Sequence, residues 1–237
     1  MDKAKRDANG KASRDEIEFW TNPRQKINQY TMKDSHMVRP ERYQSAGDAV
    51  NYDRNIRSAK GSRRLSHWME TYAFKRALAR IEGKEVLDGP CGTGRTHKIL
   101  STKFSTVVSL DSSESMLHIH EKNTGSKKLC CGDMFRLPFS ENRFDWTVSY
   151  RLFHHMTSQR NRVALLRSIT RVSRQGVIFT AWIDTPLNKR CESRRQSLSR
   201  AEMTRVITDA KLHLISIDYA SWPFQPKCVI TCRKPKE

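Results

Sequence analysis

The chain has 237 residues, room for one large single-sheet domain with an extension, and a hydrophobic content of 37% that is modest but sufficient for a core. Its 44 Lys and Arg outnumber 25 Asp and Glu, giving a formal charge of +19. The excess is spread along the chain, with 19 basic and 11 acidic residues up to Lys84 and 25 and 14 beyond it. A detachable basic tail is thereby excluded as the source, and the whole surface attracts phosphates, RNA or an anionic membrane. No run of about 18 apolar residues is present and Met1–Arg6 has no apolar stretch behind it, which excludes a membrane span and a secretory signal and leads us to expect a cytoplasmic protein.

Residues 1–45 read as a polar, charge-mixed extension, disordered over Met1–Arg14. Phe19, Trp20 and Tyr30 interrupt that pattern as a short helix that covers a ligand, docks on a partner or caps the sheet. A single domain is expected over residues 46–237. From Ser62 to Ile81 the apolar residues Leu65, Trp68, Met69, Tyr72, Ala73, Leu78 and Ile81 recur at three- and four-residue steps, the mark of an amphipathic helix. Elements then alternate: strand Glu85–Asp88, helix Thr93–Lys103, strand Thr106–Asp111, helix Ser113–Lys122, strands Lys128–Gly132 and Phe144–Tyr150, helix Gln159–Val172 and strand Gly176–Trp182. Strand and helix in turn mean a doubly wound, parallel α/β sheet. Ser199 and Glu202 form a capping box that opens a helix over Ala201–Lys211, and strands His213–Ala220 and Lys227–Arg233 follow. The link Ser221–Pro226 is too short for a crossover helix, so the last strand runs antiparallel to its neighbour.

The segment Glu85–Arg95, EVLDGPCGTGR, places an apolar strand, a Gly/Pro-rich turn and a helix start in succession, and the next strand closes on Asp111. Glycine lets the backbone approach a ligand, and a carboxylate at the tip of the second strand can accept both hydroxyls of a ribose. The pattern points to an adenosine-containing cofactor. A dinucleotide is disfavoured, because His97 stands where the third glycine of G-x-G-x-x-G belongs, and no ATP/GTP phosphate loop is present. Pro90 removes one backbone N–H from the loop, which a cofactor without phosphate tolerates.

With Gly132–Phe139 (GDMFRLPF), Phe144–Val148 (FDWTV) and Arg151–His155 (RLFHH), this loop resembles the class I S-adenosylmethionine-dependent methyltransferases over about Val50 to Arg233. The pattern is most similar to the small-molecule branch that includes ubiquinone and menaquinone methyltransferases. The resemblance implies a seven-stranded Rossmann-like sheet with an antiparallel last strand, and S-adenosyl-L-methionine as cofactor. It places Asp88, Gly89, Gly92 and Gly94 at the methionine and ribose end, Asp111 on the ribose hydroxyls, and Ser112 and Met116 beside the adenine. Asp133 then accepts from the adenine amino group and Met134 lies against the ring. Tyr150 lines the cofactor at the carboxyl edge of the fourth strand, where Arg151 and Leu152 face the acceptor.

His154 or His155 is the candidate general base if the acceptor carries a proton. The basic segment Asp184–Ser199 is expected over the acceptor pocket, with Lys189, Arg190, Arg194 and Arg195 for an anionic acceptor. Two adjacent histidines are too few for a metal site, and the six cysteines, without C-x-x-C spacing, read as reduced. A small-molecule acceptor leads; an RNA acceptor of the transfer-RNA wobble-uridine type is second, and a non-catalytic cofactor-binding scaffold is third. N-P-P-Y is absent after the fourth strand, against methylation of amino groups on adenine or cytosine.

Overall fold

The computed structural model describes residues 45–156, 158–187, 197–221 and 223–235. The basic positions Lys189, Arg190, Arg194 and Arg195, together with Phe19, Trp20 and Tyr30, lie outside the described residues. Helices α1 (Ala46–Arg57) and α2 (Gly61–Ala79) precede the sheet. Next come β1 (Glu85–Asp88), α3 (His97–Ser101), β2 (Thr106–Asp111), α4 (Glu114–Thr124), β3 (Leu129–Cys131) and β4 (Phe144–Ser149). A 3-10 turn at Phe153–His155 leads to α5 (Gln159–Arg171), β5 (Ser173–Trp182), α6 (Arg200–Asp209), β6 (His213–Tyr219) and β7 (Lys227–Arg233).

The seven strands form one sheet in the order β3-β2-β1-β4-β5-β7-β6. Strands β1 to β5 pair in parallel, and β7 enters antiparallel between β5 and β6. This is the doubly wound sheet with an antiparallel last strand expected above. Side chains alternate across β1: Val86 joins Phe74, Leu78, Trp146 and Ile178 on the face covered by α2, and Leu87 joins Leu110, Leu165, Leu166 and Phe179 on the face covered by α5 and α6. Helix starts are fixed by side-chain caps. Ser113 accepts from the Met116 N–H at 3.2 Å, Ser158 from Asn161 at 3.1 Å, and Ser199 and Glu202 form the reciprocal box.

Three details depart from the sequence reading. Helix α2 buries Ser66, Glu70, Ala73, Phe74, Ala77 and Leu78, whereas Leu65, Trp68 and Tyr72, expected on the core face, are 57%, 64% and 54% exposed. The helix expected from Thr93 to Lys103 is only five residues long, because Gly92 and Gly94 adopt φ of +52° and +88° and hold the chain in turns up to Thr96. Helix α1 was not read at all, and the only residue it fully buries is Ala49.

Candidate methyl-transfer site

The β1–α3 loop, the tip of β2, the turn after β3 and the end of β4 meet at the carboxyl edge of the sheet, the usual ligand position in open α/β folds. The Gly89 N–H donates to the Val148 carbonyl at 2.9 Å and the Cys91 N–H to that of Leu110 at 2.9 Å, so the loop is pinned to both neighbouring strands. A Cβ on Gly89 would stand 2.6 Å from Met134 Sδ, so any larger residue there would have to displace the end of that side chain. Gly92 leaves its Cβ direction open, with the Tyr52 ring of α1 nearest at 3.9 Å. Gly94 is different. Its Cβ would meet Thr124 and His120 of α4 at 2.7 and 3.3 Å, so this glycine serves helix packing.

Asp88 is fully buried and accepts from Thr96 Oγ1 at 2.7 Å, and its Oδ1 has no hydrogen-bond partner. Burial, only partly offset by the Thr96 bond, pushes the carboxyl up to about 7, and the nearby Asp111 adds to the rise. A buried carboxylate with a spare oxygen fits the ammonium end of S-adenosylmethionine. Asp111 accepts from the Gly92 N–H at 2.8 Å and the Ser113 N–H at 3.0 Å, and also from the backbone of Ser112, so three backbone donors orient its carboxylate and leave about one lone-pair direction for a further donor such as a ribose hydroxyl. Ser112 is exposed beside it, while Met116 is 3% exposed in the helix interior and Met134 belongs to the core. Asp133 accepts from the Phe135 N–H at 2.9 Å, folding the turn after β3.

The end of β4 carries a charged cluster that the sequence reading missed except for Arg151. Glu70 of α2 is buried between Arg95 and Arg151, with ion-pair distances of 3.5 and 3.4 Å. Arg95 also lies over the Tyr150 ring, 5.4 Å from its centroid. One Glu70 oxygen and Arg95 Nη1 are buried without a hydrogen bond. Burial first, then the neighbouring Arg95 and Arg151, hold the His67 imidazole down to about 4 against the opposing pull of Glu70. Arg151 itself sits at φ +64°, a left-handed conformation rare outside glycine, and its N–H donates to Thr180 Oγ1 at 2.6 Å. The signals in the sequence were an acid on the buried stripe of α2 and an arginine directly after the glycine loop.

His154 is 4% exposed and stacks on Trp182, with ring centroids 5.4 Å apart, and His155 lies 4.2 Å from it. His97 packs edge-to-face on His120 of α4, with ring centroids 5.2 Å apart. There a cavity of about 450 Å³ opens between α1, α3 and α4, lined by Asp53, Arg57, Lys98 and Asn123 among others.

Asp88 gives a pH-dependent stability prediction. Its carboxyl is raised above the usual range to about 7, so the folded state holds the proton more tightly than the unfolded chain. Stability linked to this group is complete below its ordinary value and is lost as pH rises through about 7. Asp88→Asn is expected to be more stable than the parent at pH 8 and not at pH 4 in urea unfolding, while binding the cofactor more weakly. An equal gain at both pH values would show that the carboxylate is not destabilised by burial.

The profile of the methyltransferase-domain family matches residues 87–181. Among curated proteins the chain is 29% identical over 147 residues to one of Encephalitozoon cuniculi named as a methyltransferase, covering 60% of this chain and 65% of that protein. It is 25% identical over 123 residues to the tRNA (carboxymethyluridine(34)-5-O)-methyltransferase of Arabidopsis thaliana, covering 51% and 29%. The chain thus spans less than two thirds of the length of these curated relatives. Among solved structures, magnesium protoporphyrin IX methyltransferase from Synechocystis with bound S-adenosylmethionine superposes with a TM-score of 0.62 at 14% identity, over 82% of this chain and 94% of that one. No described helix is long and apolar enough to cross a membrane. Residues 87–181 thus carry a methyltransferase domain that uses S-adenosylmethionine, and the sheet order and the glycine loop agree with it.

Proposed function

We propose that the protein transfers a methyl group from S-adenosylmethionine to a carboxylate oxygen of its acceptor. The observation that carries this reading is the pair Arg95, from the glycine loop, and Arg151, just after β4, whose guanidinium forks suit a planar carboxylate and which converge on the buried Glu70. When bound, the cofactor supplies an electrophilic methyl on a sulfonium, so that attack by a carboxylate forms O–CH3, breaks S–CH3 and leaves the electron pair on sulfur. No proton moves, and the protein's task is to hold the two groups in line and keep water away. Asp88 and Asp111 hold the cofactor, Gly89 and Gly92 let it lie against the backbone, and Arg95 and Arg151 orient the acceptor.

A small molecule is the leading acceptor, as the sequence blocks imply, and the arginine pair adds the carboxylate to that reading. A second reading places the carboxylate on RNA; the charge of +19 and the Arabidopsis thaliana relative, named for carboxymethyluridine, favour it. The test is to supply cofactor with a labelled methyl group to pooled acidic metabolites and to total RNA, then treat the products with mild alkali. A carboxyl methyl ester releases labelled methanol. Label that survives alkali marks an N-, C- or ether-linked methyl and rejects the carboxylate reading.

A further inference from the structure

The solvent face of α2 is unlike the rest of the helix. Arg64, Leu65, Trp68, Tyr72, Lys75 and Arg76 are all exposed and fall within about 120° of arc at about 100° per residue. Trp68 and Tyr72 stack with ring centroids 5.9 Å apart and planes 13° from parallel, and Arg76 lies over the Tyr72 ring at 5.4 Å. The single acid of the helix, Glu70, is buried on the opposite side. Arg76 also contacts Asp218 at 3.5 Å, which fixes its guanidinium beside the ring. The result is a ready-stacked aromatic pair flanked by cations with no exposed acid on the helix.

We propose that this face is a docking platform for single-stranded RNA. Its aromatic rings supply base-stacking surfaces, and Arg64, Lys75 and Arg76 supply phosphate contacts. A protein partner would bury Trp68 and Tyr72 equally well, but a face whose exposed charges are all positive is complementary to a polyanion. The inference deepens the second of the two acceptor readings above, and binding can be measured apart from methyl transfer.

The experiment uses the full chain and a fluorescently labelled 12-nucleotide single-stranded RNA, with the duplex of the same sequence as control, followed by anisotropy at several salt concentrations. The double variant Trp68→Ala/Tyr72→Ala is expected to bind the single strand at least about tenfold more weakly, with little change for the duplex, because duplex bases are not free to stack. Arg64→Gln/Lys75→Gln is expected to flatten the salt dependence by about one unit of slope per phosphate contact removed. Unchanged single-strand affinity in the aromatic variant, equal losses for strand and duplex, or an effect confined to self-association would overturn the proposal. RNA binding that depends on Trp68 and Tyr72 without methylation of any RNA would keep the platform and assign the carboxylate to a small acceptor.

Discussion

Gly92→Val and Gly94→Val are expected to fail in different ways, although the two glycines stand in one motif. At Gly92 the Cβ direction is open except for Tyr52 at 3.9 Å, on the side where the cofactor is proposed to lie. Valine there blocks the ligand and adds backbone strain of about 1–3 kcal/mol at φ +52°, leaving a folded protein that no longer binds S-adenosylmethionine. At Gly94 the same substitution drives into Thr124 at 2.7 Å and His120 at 3.3 Å from a backbone at φ +88°. Overpacking of about 1–3 kcal/mol and a similar strain then consume much of an ordinary domain's stability of about 5–15 kcal/mol. Thermal unfolding separates the two: Gly92→Val should melt moderately below the parent yet stay folded with no binding in calorimetry, and Gly94→Val, which adds overpacking to the same strain, should melt well below Gly92→Val. A Gly94→Val protein with parental stability would show that α4 does not pack on the loop as described. Asp111→Ala belongs to the first class, with cofactor binding weaker by about 1.5–3 kcal/mol, since it removes a charged acceptor and loosens Gly92.

The sheet was legible because its rules are local. Alternation of strand and helix fixed the parallel part, and the short link between β6 and β7, residues 220–226, left only an antiparallel partner. The capping box at Ser199 and Glu202 was read from two residues and formed as expected. What failed was the face of α2. Hydrophobicity alone put Leu65, Trp68 and Tyr72 inward, whereas the helix lies against the sheet on Ala73, Phe74, Ala77 and Leu78, where small residues permit close approach. Glu70 follows the same stripe, and its burial becomes intelligible only with Arg95 and Arg151, which are distant in sequence. A buried acid has no pattern of its own until its partners are in place. The cofactor loop was legible as a motif, but the division of labour between Gly92 and Gly94 depends on which way a missing Cβ points.

The other large effect is expected at Arg151, and it separates chemistry from folding. Its φ of +64° costs an L-residue about 1–2 kcal/mol that glycine does not incur. Arg151→Gly should therefore be more stable than Arg151→Ala by about 1 kcal/mol. If the guanidinium orients a carboxylate, both variants should nevertheless lose about 10²-fold in transfer rate while binding the cofactor normally. Arg95→Ala should behave similarly, and the pair should be less than additive, since both act on one group. A carboxylate carries no proton to remove, so His154→Gln and His155→Gln are expected to keep nearly full rate from pH 5.5 to 8.5. His154, stacked on Trp182, would then matter for packing. The opposite pattern sinks the carboxylate reading: near-parental rates in the Arg151 variants, with a loss of about 10²-fold in a histidine variant and a parental rate rising through a pKa near 6–7. An acceptor with a proton to give up, and an imidazole to take it, would stand in its place.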